Sequence, residues 1–369
     1  MKKIMIIFGT RPEAIKLAPL IKYLKITTDI ELKICVTAQH RGMLDTVLNI
    51  FEITPDYDLN IMKNGQTLVE MTIRILEGVD KVLKKEKPDL ILVHGDTTTS
   101  LISAMGAFYN KIPVVHIEAG LRSKNMYSPY PEEFNRKLIS DIAEYHFSPT
   151  IENKINLLNE GVSEDKIFVT GNTVIDALKS VVKENFIFEN ELLRTINYKE
   201  KKVVLLTIHR RENWGEPMEE IFYGIKNCAL KHINDIVIIF PMHENPIVRE
   251  CAQKILGNIK NIYLIDPLDY VSFSNLMNKS YLVVTDSGGI QEEAPALGKP
   301  VVVLREETER MEGVKAGTVV LCGISKEKIE ELLTELLSTK EEYIKMSKAI
   351  NPYGNGESSK KIGNILVRL

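Results

Sequence analysis

Two series of short, β-branched apolar runs organise the chain and constrain its fold more than any other feature. The first series falls at residues 4–8, 34–37, 90–93, 114–117, 145–147 and 167–169, the second at 203–208, 236–240, 262–265, 282–285 and 301–304. Amphipathic segments separate them. Strands that are apolar along their whole length are covered on both faces, and strands alternating with helices imply a parallel, doubly wound sheet. The pattern restarts after Gly171-Asn172, across a helix beginning near Thr173 and a charged, irregular stretch around residues 183–202. At 369 residues the chain is long for one core and natural for two such domains. The expectation is an α/β fold of two Rossmann-like doubly wound domains facing a cleft, the first spanning 1–172 and the second 173–355. Beyond them, Asn351 to Gly356 reads as a glycine-rich hinge and Ser358 to Leu369 as a closing helix.

Composition excludes several kinds of partner. With 47 basic and 50 acidic residues and a net charge of −3, the chain has no cationic surplus with which to hold nucleic acid or a membrane surface. Any anion site must be built locally. The four cysteines, Cys35, Cys228, Cys251 and Cys322, lie far apart with no C-x-x-C pair, which suggests neither a metal site nor a disulfide framework and fits a reducing cytoplasm. Lys2-Lys3 and the apolar residues 4–8 superficially resemble a signal start, but the run is short and Arg11 and Glu13 interrupt its continuation. No stretch approaches the roughly 20 apolar residues needed to span a bilayer. A soluble protein is expected.

In an open parallel sheet, ligands bind beyond the carboxyl ends of the strands, so the residues that follow each apolar run carry the information. Here they are unusually polar. The first run ends in Gly9-Thr10-Arg11-Pro12-Glu13, with Lys16 one turn further, and two cations beside a tight turn suit an anion. Neither G-x-G-x-x-G nor a P-loop is present, so hydride transfer and ATP hydrolysis lose support. His94-Gly95-Asp96-Thr97 and Glu118-Ala119-Gly120-Leu121-Arg122 end successive runs. Adjacent parallel strands lie about 4.8 Å apart, so Asp96 and Glu118 should share one mouth. Asp96 also reads as a helix cap, and either Glu132 or Glu133 after Pro131 reads as a carboxylate complementing a helix dipole.

The second half offers His209-Arg210-Arg211 directly after its first run, a group suited to a diphosphate. Asp286-Ser287-Gly288-Gly289 joins an apolar run to a helix opening on Glu292 and Glu293. Backbone N–H groups at such a turn accept a diphosphate, and either glutamate could take the hydroxyls of a ribose; an ordinary turn capped by Asp286 or Ser287 would read the same way. Phe273 could flank a base, and residues 305–310 read as a solvated loop or as another rim of the cleft. Together the strand tips suit a nucleoside diphosphate-sugar, with the nucleotide on the second domain and the sugar against the carboxylates of the first.

Eight blocks carry a closer resemblance. Phe8-Gly-Thr-Arg-Pro-Glu-Ala-Ile-Lys16, Thr37-Ala-Gln-His-Arg41, Val93-His-Gly-Asp-Thr-Thr98, His116-Ile-Glu-Ala-Gly-Leu-Arg122, Pro131-Glu-Glu-Phe-Asn-Arg136, Gly171-Asn-Thr-Val-Ile-Asp176, His209-Arg-Arg-Glu-Asn213 and Asp286-Ser-Gly-Gly-Ile-Gln-Glu-Glu293 run almost end to end. The chain resembles the non-hydrolysing UDP-N-acetylglucosamine 2-epimerases. The resemblance implies glycosyltransferase-B architecture, a final helix (about 356–369) crossing back to the first domain, a homodimer and no cofactor. It also implies reversible conversion of UDP-GlcNAc to UDP-ManNAc through 2-acetamidoglucal and bound UDP, supplying ManNAc units for cell-surface polysaccharide.

By that resemblance Asp96, Glu118 and Glu132 match the catalytic carboxylates and His209 the histidine on the phosphate side. Arg11, Lys16, Arg211, Phe273, Ser287, Gly288, Gly289, Glu293 and Arg310 match substrate-binding positions. Gln39 and His243, together with Arg211, match a second UDP-GlcNAc site found in some bacterial members; Gly42 and Gly65 stand where that site would carry longer polar side chains. Met311 stands where the family usually has proline. A hydrolysing epimerase, a sugar transferase of the same architecture and an inactive nucleotide-sugar sensor are the alternatives. The transferase needs an acceptor site that clustered carboxylates do not suggest, and the sensor would lack a carboxylate.

Overall fold

The computed structural model describes residues 1–369 apart from His40 and Asn64. His40, in the second of the eight blocks, therefore lies outside the described residues. The chain forms two compact units, Met1–Ser180 with Tyr353–Leu369, and Val181–Pro352.

The first unit holds a seven-stranded sheet made of β1 (Lys2–Phe8), β2 (Ile30–Val36), β3 (Tyr57–Asp58), β4 (Leu90–His94), β5 (Val114–Ile117), β6 (Tyr145–Ser148) and β7 (Ile167–Val169). The strands are parallel and run in the order β3-β2-β1-β4-β5-β6-β7. Ile4 to Phe8 and Leu90 to Val93 are buried, as strands covered by helices on both faces must be. The second unit holds a six-stranded parallel sheet of β8 (Lys202–Thr207), β9 (Ile236–Pro241), β10 (Ile262–Ile265), β11 (Leu282–Thr285), β12 (Val301–Val303) and β13 (Val319–Leu321), in the order β10-β9-β8-β11-β12-β13. Strand order reverses between β1 and β4 in one sheet and between β8 and β11 in the other. Those are the points where crossovers leave in opposite directions and open a crevice at the carboxyl ends.

Two strands, β3 and β13, were not expected. Both are short edge strands: β3 is only the half-buried Tyr57 and the exposed Asp58, which make no apolar run, whereas β13 is a three-residue apolar run, Val319-Val320-Leu321, that sequence reasoning passed over. The first unit also extends further than residue 172. Helix Thr173–Val181 buries Val174, Ile175, Ala177 and Leu178, and its Asp176 accepts the N–H groups of Ser358 (3.2 Å) and Ser359 (2.7 Å), the first turn of the tail helix Ser358–Arg368. That helix therefore fastens the tail to the first unit. The chain rejoins the unit at Tyr353, ahead of 356, where the carbonyl of Tyr353 accepts the N–H of Asn172 at 2.8 Å. The tail helix packs on helix Arg11–Lys25: Tyr23 Oη donates to Asn364 Oδ1 at 2.9 Å, and a Cβ at Gly363 would lie 2.4 Å from the Tyr23 ring. Among the described residues no helix is long and apolar enough to cross a membrane.

Candidate active site

At the switch point of the first sheet, Glu13 joins two loops. It is 2% exposed, and its Oε2 accepts the N–H groups of Gly9 (3.0 Å) and Thr10 (2.8 Å) after β1. Its Oε1 accepts the hydroxyls of Thr97 (2.7 Å) and Ser100 (2.9 Å) after β4. Burial raises this carboxyl, and the hydroxyls of Thr97 and Thr10 and the Gly9 N–H pull it back only in part. Thr97 also caps helix Thr98–Tyr109 by accepting the Ser100 N–H, so the capping role open to Asp96 belongs to its neighbour.

Asp96 is thereby released for another contact. Its Oδ2 accepts Arg136 Nε at 2.9 Å and lies 2.6 Å from Arg136 Nη2, a two-pronged guanidinium contact. Asn135 holds the backbone carbonyl of Asp96 at 2.8 Å. The same Arg136 reaches Glu133 Oε2 at 3.0 Å, and Glu133 accepts the N–H groups of Ser123 and Lys124. Burial alone would raise Glu133, but Ser123 N–H and Arg136 outweigh it and hold the carboxyl low. Glu133 is thus the structural member of the Glu132–Glu133 pair. Glu132 lies at the first position of helix Glu132–Ile142, with a buried Oε2 that has no hydrogen-bond partner among the described residues.

Glu118 follows β5 in the left-handed region, at φ 63°, a strained conformation for a non-glycine residue and one that concentrates at functional sites. Its Oε2 accepts Lys16 Nζ at 2.5 Å and Asn172 Nδ2 at 2.9 Å. A Cβ placed on Gly95 would lie 3.7 Å from Glu118 Oε1, so the carboxylate sits over the turn that leads into Asp96. The strands that lead to these two residues, β4 and β5, are hydrogen-bonded neighbours in the sheet. Lys16 is turned to Glu118, while Arg11 at the start of its helix is exposed.

Behind these carboxylates, three strands carry buried histidines. His94 Nε2 lies 3.8 Å from Glu118 Oε2, and His116 donates from Nε2 to the Gly95 carbonyl at 2.7 Å. Burial pushes His94 down to about 4, His116 to about 3 and His146 to about 4. All three are neutral rings at pH 7, and they form an uncharged floor under the charged strand tips.

In the second unit the switch-point loops meet at Asp286, which is 0% exposed. Its carboxylate accepts the N–H groups of His209 (3.0 Å) and Arg210 (2.9 Å) and Asn213 Nδ2 (3.0 Å), and lies 3.1 Å from His209 Nδ1. Burial alone would raise Asp286, but the His209 ring and these N–H groups outweigh it and hold it below the usual carboxylate range. The His209 ring stacks on His243, centroids 5.8 Å apart and planes at 17°. Arg211 is exposed, 5.9 Å from the Trp214 ring. Gln39, grouped with Arg211 and His243 in the sequence, belongs to the first unit and accepts the Thr99 hydroxyl at 3.2 Å.

Next to Asp286, the Ser287 N–H is held by Thr285 Oγ1 at 2.9 Å, and helix Ile290–Ala296 begins after Gly289. A Cβ on Gly288 would lie 2.6 Å from Arg310 Nη1, so the missing side chain is what lets the guanidinium approach the turn. Arg310 is also bound to Glu292 Oε1 at 2.6 Å and to Glu309, and Glu309 holds Arg305 at 3.0 Å. Burial opposes ionisation of Glu309, but Arg310 and Arg305 hold it down at about 2. Arg305, Glu309 and Arg310 are therefore ion-paired to one another and to Glu292. Of the two glutamates left open by the sequence, Glu292 is 5% exposed and committed to Arg310, whereas Glu293 is half-buried one position further on. Phe273 is half-buried in helix Tyr270–Lys279.

Sequence reasoning passed over Arg136, Asn172 and Asp286 as site residues. Each stood inside a block that was noticed, but their partners lie 40, 54 and 77 residues away in the chain, beyond any local spacing rule.

Two Rossmann-like doubly wound units place the chain among the glycosyltransferase-B folds. A family model described as UDP-N-acetylglucosamine 2-epimerase matches residues 22–367. The chain is 53% identical over 367 residues to the UDP-N-acetylglucosamine 2-epimerase of Escherichia coli strain K12, covering 98% of this chain and 97% of that one. It is 52% identical over 360 residues to the Bacillus subtilis strain 168 enzyme of the same name, covering 98% and 93%. The crystal structure of UDP-GlcNAc 2-epimerase from Neisseria meningitidis bound to UDP-GlcNAc matches with a TM-score of 0.91 at 49% identity, covering 100% of both chains. This chain belongs to the UDP-N-acetylglucosamine 2-epimerase family.

Proposed function

We propose that the chain inverts C2 of UDP-GlcNAc reversibly, giving UDP-ManNAc by the non-hydrolysing route. The observation that carries this reading is the pair of carboxylates at the first switch point, Asp96 against Arg136 and Glu118 against Lys16, side by side at the tips of β4 and β5. Membership of the family and the match to a structure bound to UDP-GlcNAc supply the substrate.

A hydrogen on C2, with no carbonyl beside it, is barely acidic. As the C1–O bond breaks, its electron pair leaves with the diphosphate and positive charge develops next to C2. A carboxylate then removes the C2 proton, and the C2–H electron pair forms the double bond of 2-acetamidoglucal. Proton return to the opposite face and re-addition of UDP complete the inversion without a redox cofactor. Asp96 and Glu118 handle the C2 protons in this reading, each held by a cation that fixes its direction. Glu132, whose buried Oε2 has no hydrogen-bond partner among the described residues, supports the elimination. His209, Ser287, Gly288 and Gly289 attend the diphosphate, Glu293 the ribose and Phe273 the uracil; Arg310 is a further substrate-side cation, and Arg11 with Lys16 belongs to the carboxylate side.

The chain works as a homodimer in the cytoplasm in this proposal. Phe108 and Tyr109, 60% and 65% exposed beside a cavity of about 600 Å³ that Ile112 and Ile142 also line, supply an apolar face for a second copy. The buried, unpaired thiols of Cys35, Cys228 and Cys322 suit a reducing compartment. The product supplies ManNAc units for cell-surface polysaccharide.

Incubation with UDP-GlcNAc in D2O, followed by NMR of the sugars, tests the route. Deuterium at C2 of both UDP-sugars is expected. Free ManNAc as the main product would assign the chain to the hydrolysing type, and turnover without C2 exchange would remove the mechanism.

A further inference from the structure

We propose that Asp286 is a positioning residue for this reaction: it holds the His209 ring with Nδ1–H toward its own carboxylate, leaving Nε2 to meet the departing diphosphate. The proposal rests on the role given to His209 above, and its support is geometric. Asp286 and His209 follow β11 and β8, hydrogen-bonded neighbours at the switch point of the second sheet. Asp286 is fully buried, whereas the His209 side chain is 41% exposed, so the pair runs from the interior to the surface of the unit. Asp286 Oδ2 receives three donors, the Arg210 N–H at 2.9 Å, the His209 N–H at 3.0 Å and Asn213 Nδ2 at 3.0 Å. Oδ1 is left facing His209 Nδ1 at 3.1 Å, with the His209 N–H also near it at 3.2 Å.

An ionised carboxylate only accepts, so the hydrogen in the Nδ1 contact belongs to the ring. A neutral ring in that tautomer offers only a lone pair at Nε2. A ring carrying a hydrogen on both nitrogens donates from Nδ1 to Asp286 and from Nε2 to a diphosphate oxygen, with the buried carboxylate balancing the charge. When the C1–O electron pair moves onto the diphosphate, a charged Nε2–H hydrogen bond strengthens with the developing negative charge; no proton need change owner at Nε2. The stacked His243, whose Nδ1 accepts the Asn245 N–H at 3.1 Å, fixes the plane of the ring.

Asp286→Asn tests this because the variant keeps the shape and loses one acceptor. Three N–H donors retain the single amide oxygen, the NH2 group turns to Nδ1, and the neutral tautomer reverses. Spectra of 15N-histidine-labelled protein, with His209→Asn for assignment, read the tautomer without substrate and so independently of the function proposed. Nδ1–H is expected in the native protein and Nε2–H in Asp286→Asn. The neutral Nε2–H of the variant still reaches a diphosphate oxygen but without the charge that strengthens the bond, so kcat for UDP-GlcNAc should fall at least about 100-fold and UDP should bind more weakly. A native ring in the Nε2–H form, or Asp286→Asn at native kcat, overturns the proposal. His209→Asn at native rate removes the histidine's role and this proposal with it; impaired His209→Asn beside unimpaired Asp286→Asn overturns the Asp286 assignment alone.

Discussion

Lys16 Nζ lies 2.5 Å from Glu118 Oε2, joining the first helix of the chain to the tip of β5 across 102 residues. With side chains 16% and 12% exposed, the pair is mostly withdrawn from water, where a charge contact is strong and its loss is expensive. Glu118→Gln keeps the shape and removes the charge. Turnover should fall about 10²–10⁴-fold, the range for a lost acid–base group, with UDP binding retained by calorimetry. Asp96→Asn should do the same. Rates near normal in either variant would take away the role given to that residue.

Arg136 divides its guanidinium between Asp96 and Glu133, so it serves the proposed chemistry and the fold together. Arg136→Lys keeps the charge but not the fork. A drop in kcat of about tenfold or more is expected with a small change in melting temperature, whereas Arg136→Met should lower both. Thermal melts beside initial rates separate the two effects.

The three buried histidines set an acid limit on stability. Their folded values, about 4, 3 and 4, lie below the ordinary 6.5, so the unfolded chain takes up protons first as pH falls. Stability contributed by the neutral rings is therefore present above 6.5 and is lost progressively toward 3–4. Between pH 7 and about pH 5.5 the loss should be on the order of 1 kcal/mol for each ring. Urea midpoints across that window should fall, and His116→Asn should flatten the dependence. A native midpoint that is constant from pH 7 to about 5.5 would contradict it.

Asp176 accepts the first two N–H groups of the tail helix, so Asp176→Ala should cost about 1 kcal/mol, as loss of a helix cap does. The loss should concentrate at the tail. Hydrogen exchange at residues 358–368 is expected to quicken while exchange in β1 and β4 stays slow.

Much of the fold was legible because buried parallel strands are apolar along their length. Ile4 to Phe8 and Val301 to Val303 could be nothing else, whereas β3 offers only Tyr57 and Asp58 and no apolar run; β13, Val319-Val320-Leu321, is a short apolar run that was passed over. The site was legible in part for the same reason. A carboxylate such as Glu118 directly after a buried strand stands out, but the cation that directs it comes from another helix. Asp286 looked like a cap because its side chain can reach nearby N–H groups; it takes those of the β8 loop instead, a choice only the sheet order reveals. The domain boundary moved from 172 to 180 because helix Thr173–Val181 is tied to a tail that the chain reaches only at its end.

The return of the tail makes the second unit an insertion within the first, and this bears on the order in which the chain matures. During synthesis, residues 181–352 leave the ribosome before the first unit has its last helix. The second unit can acquire its sheet while the face of helix Arg11–Lys25 around Tyr23 still waits for Gly363 and Asn364. The first unit, although begun earlier, is complete only once helix Ser358–Arg368 has emerged and packed on helix Arg11–Lys25. Chains that stop short of residue 358 would therefore carry a nearly whole second unit on a first unit with an uncovered helix, which gives quality control a defined surface by which to recognise incomplete copies.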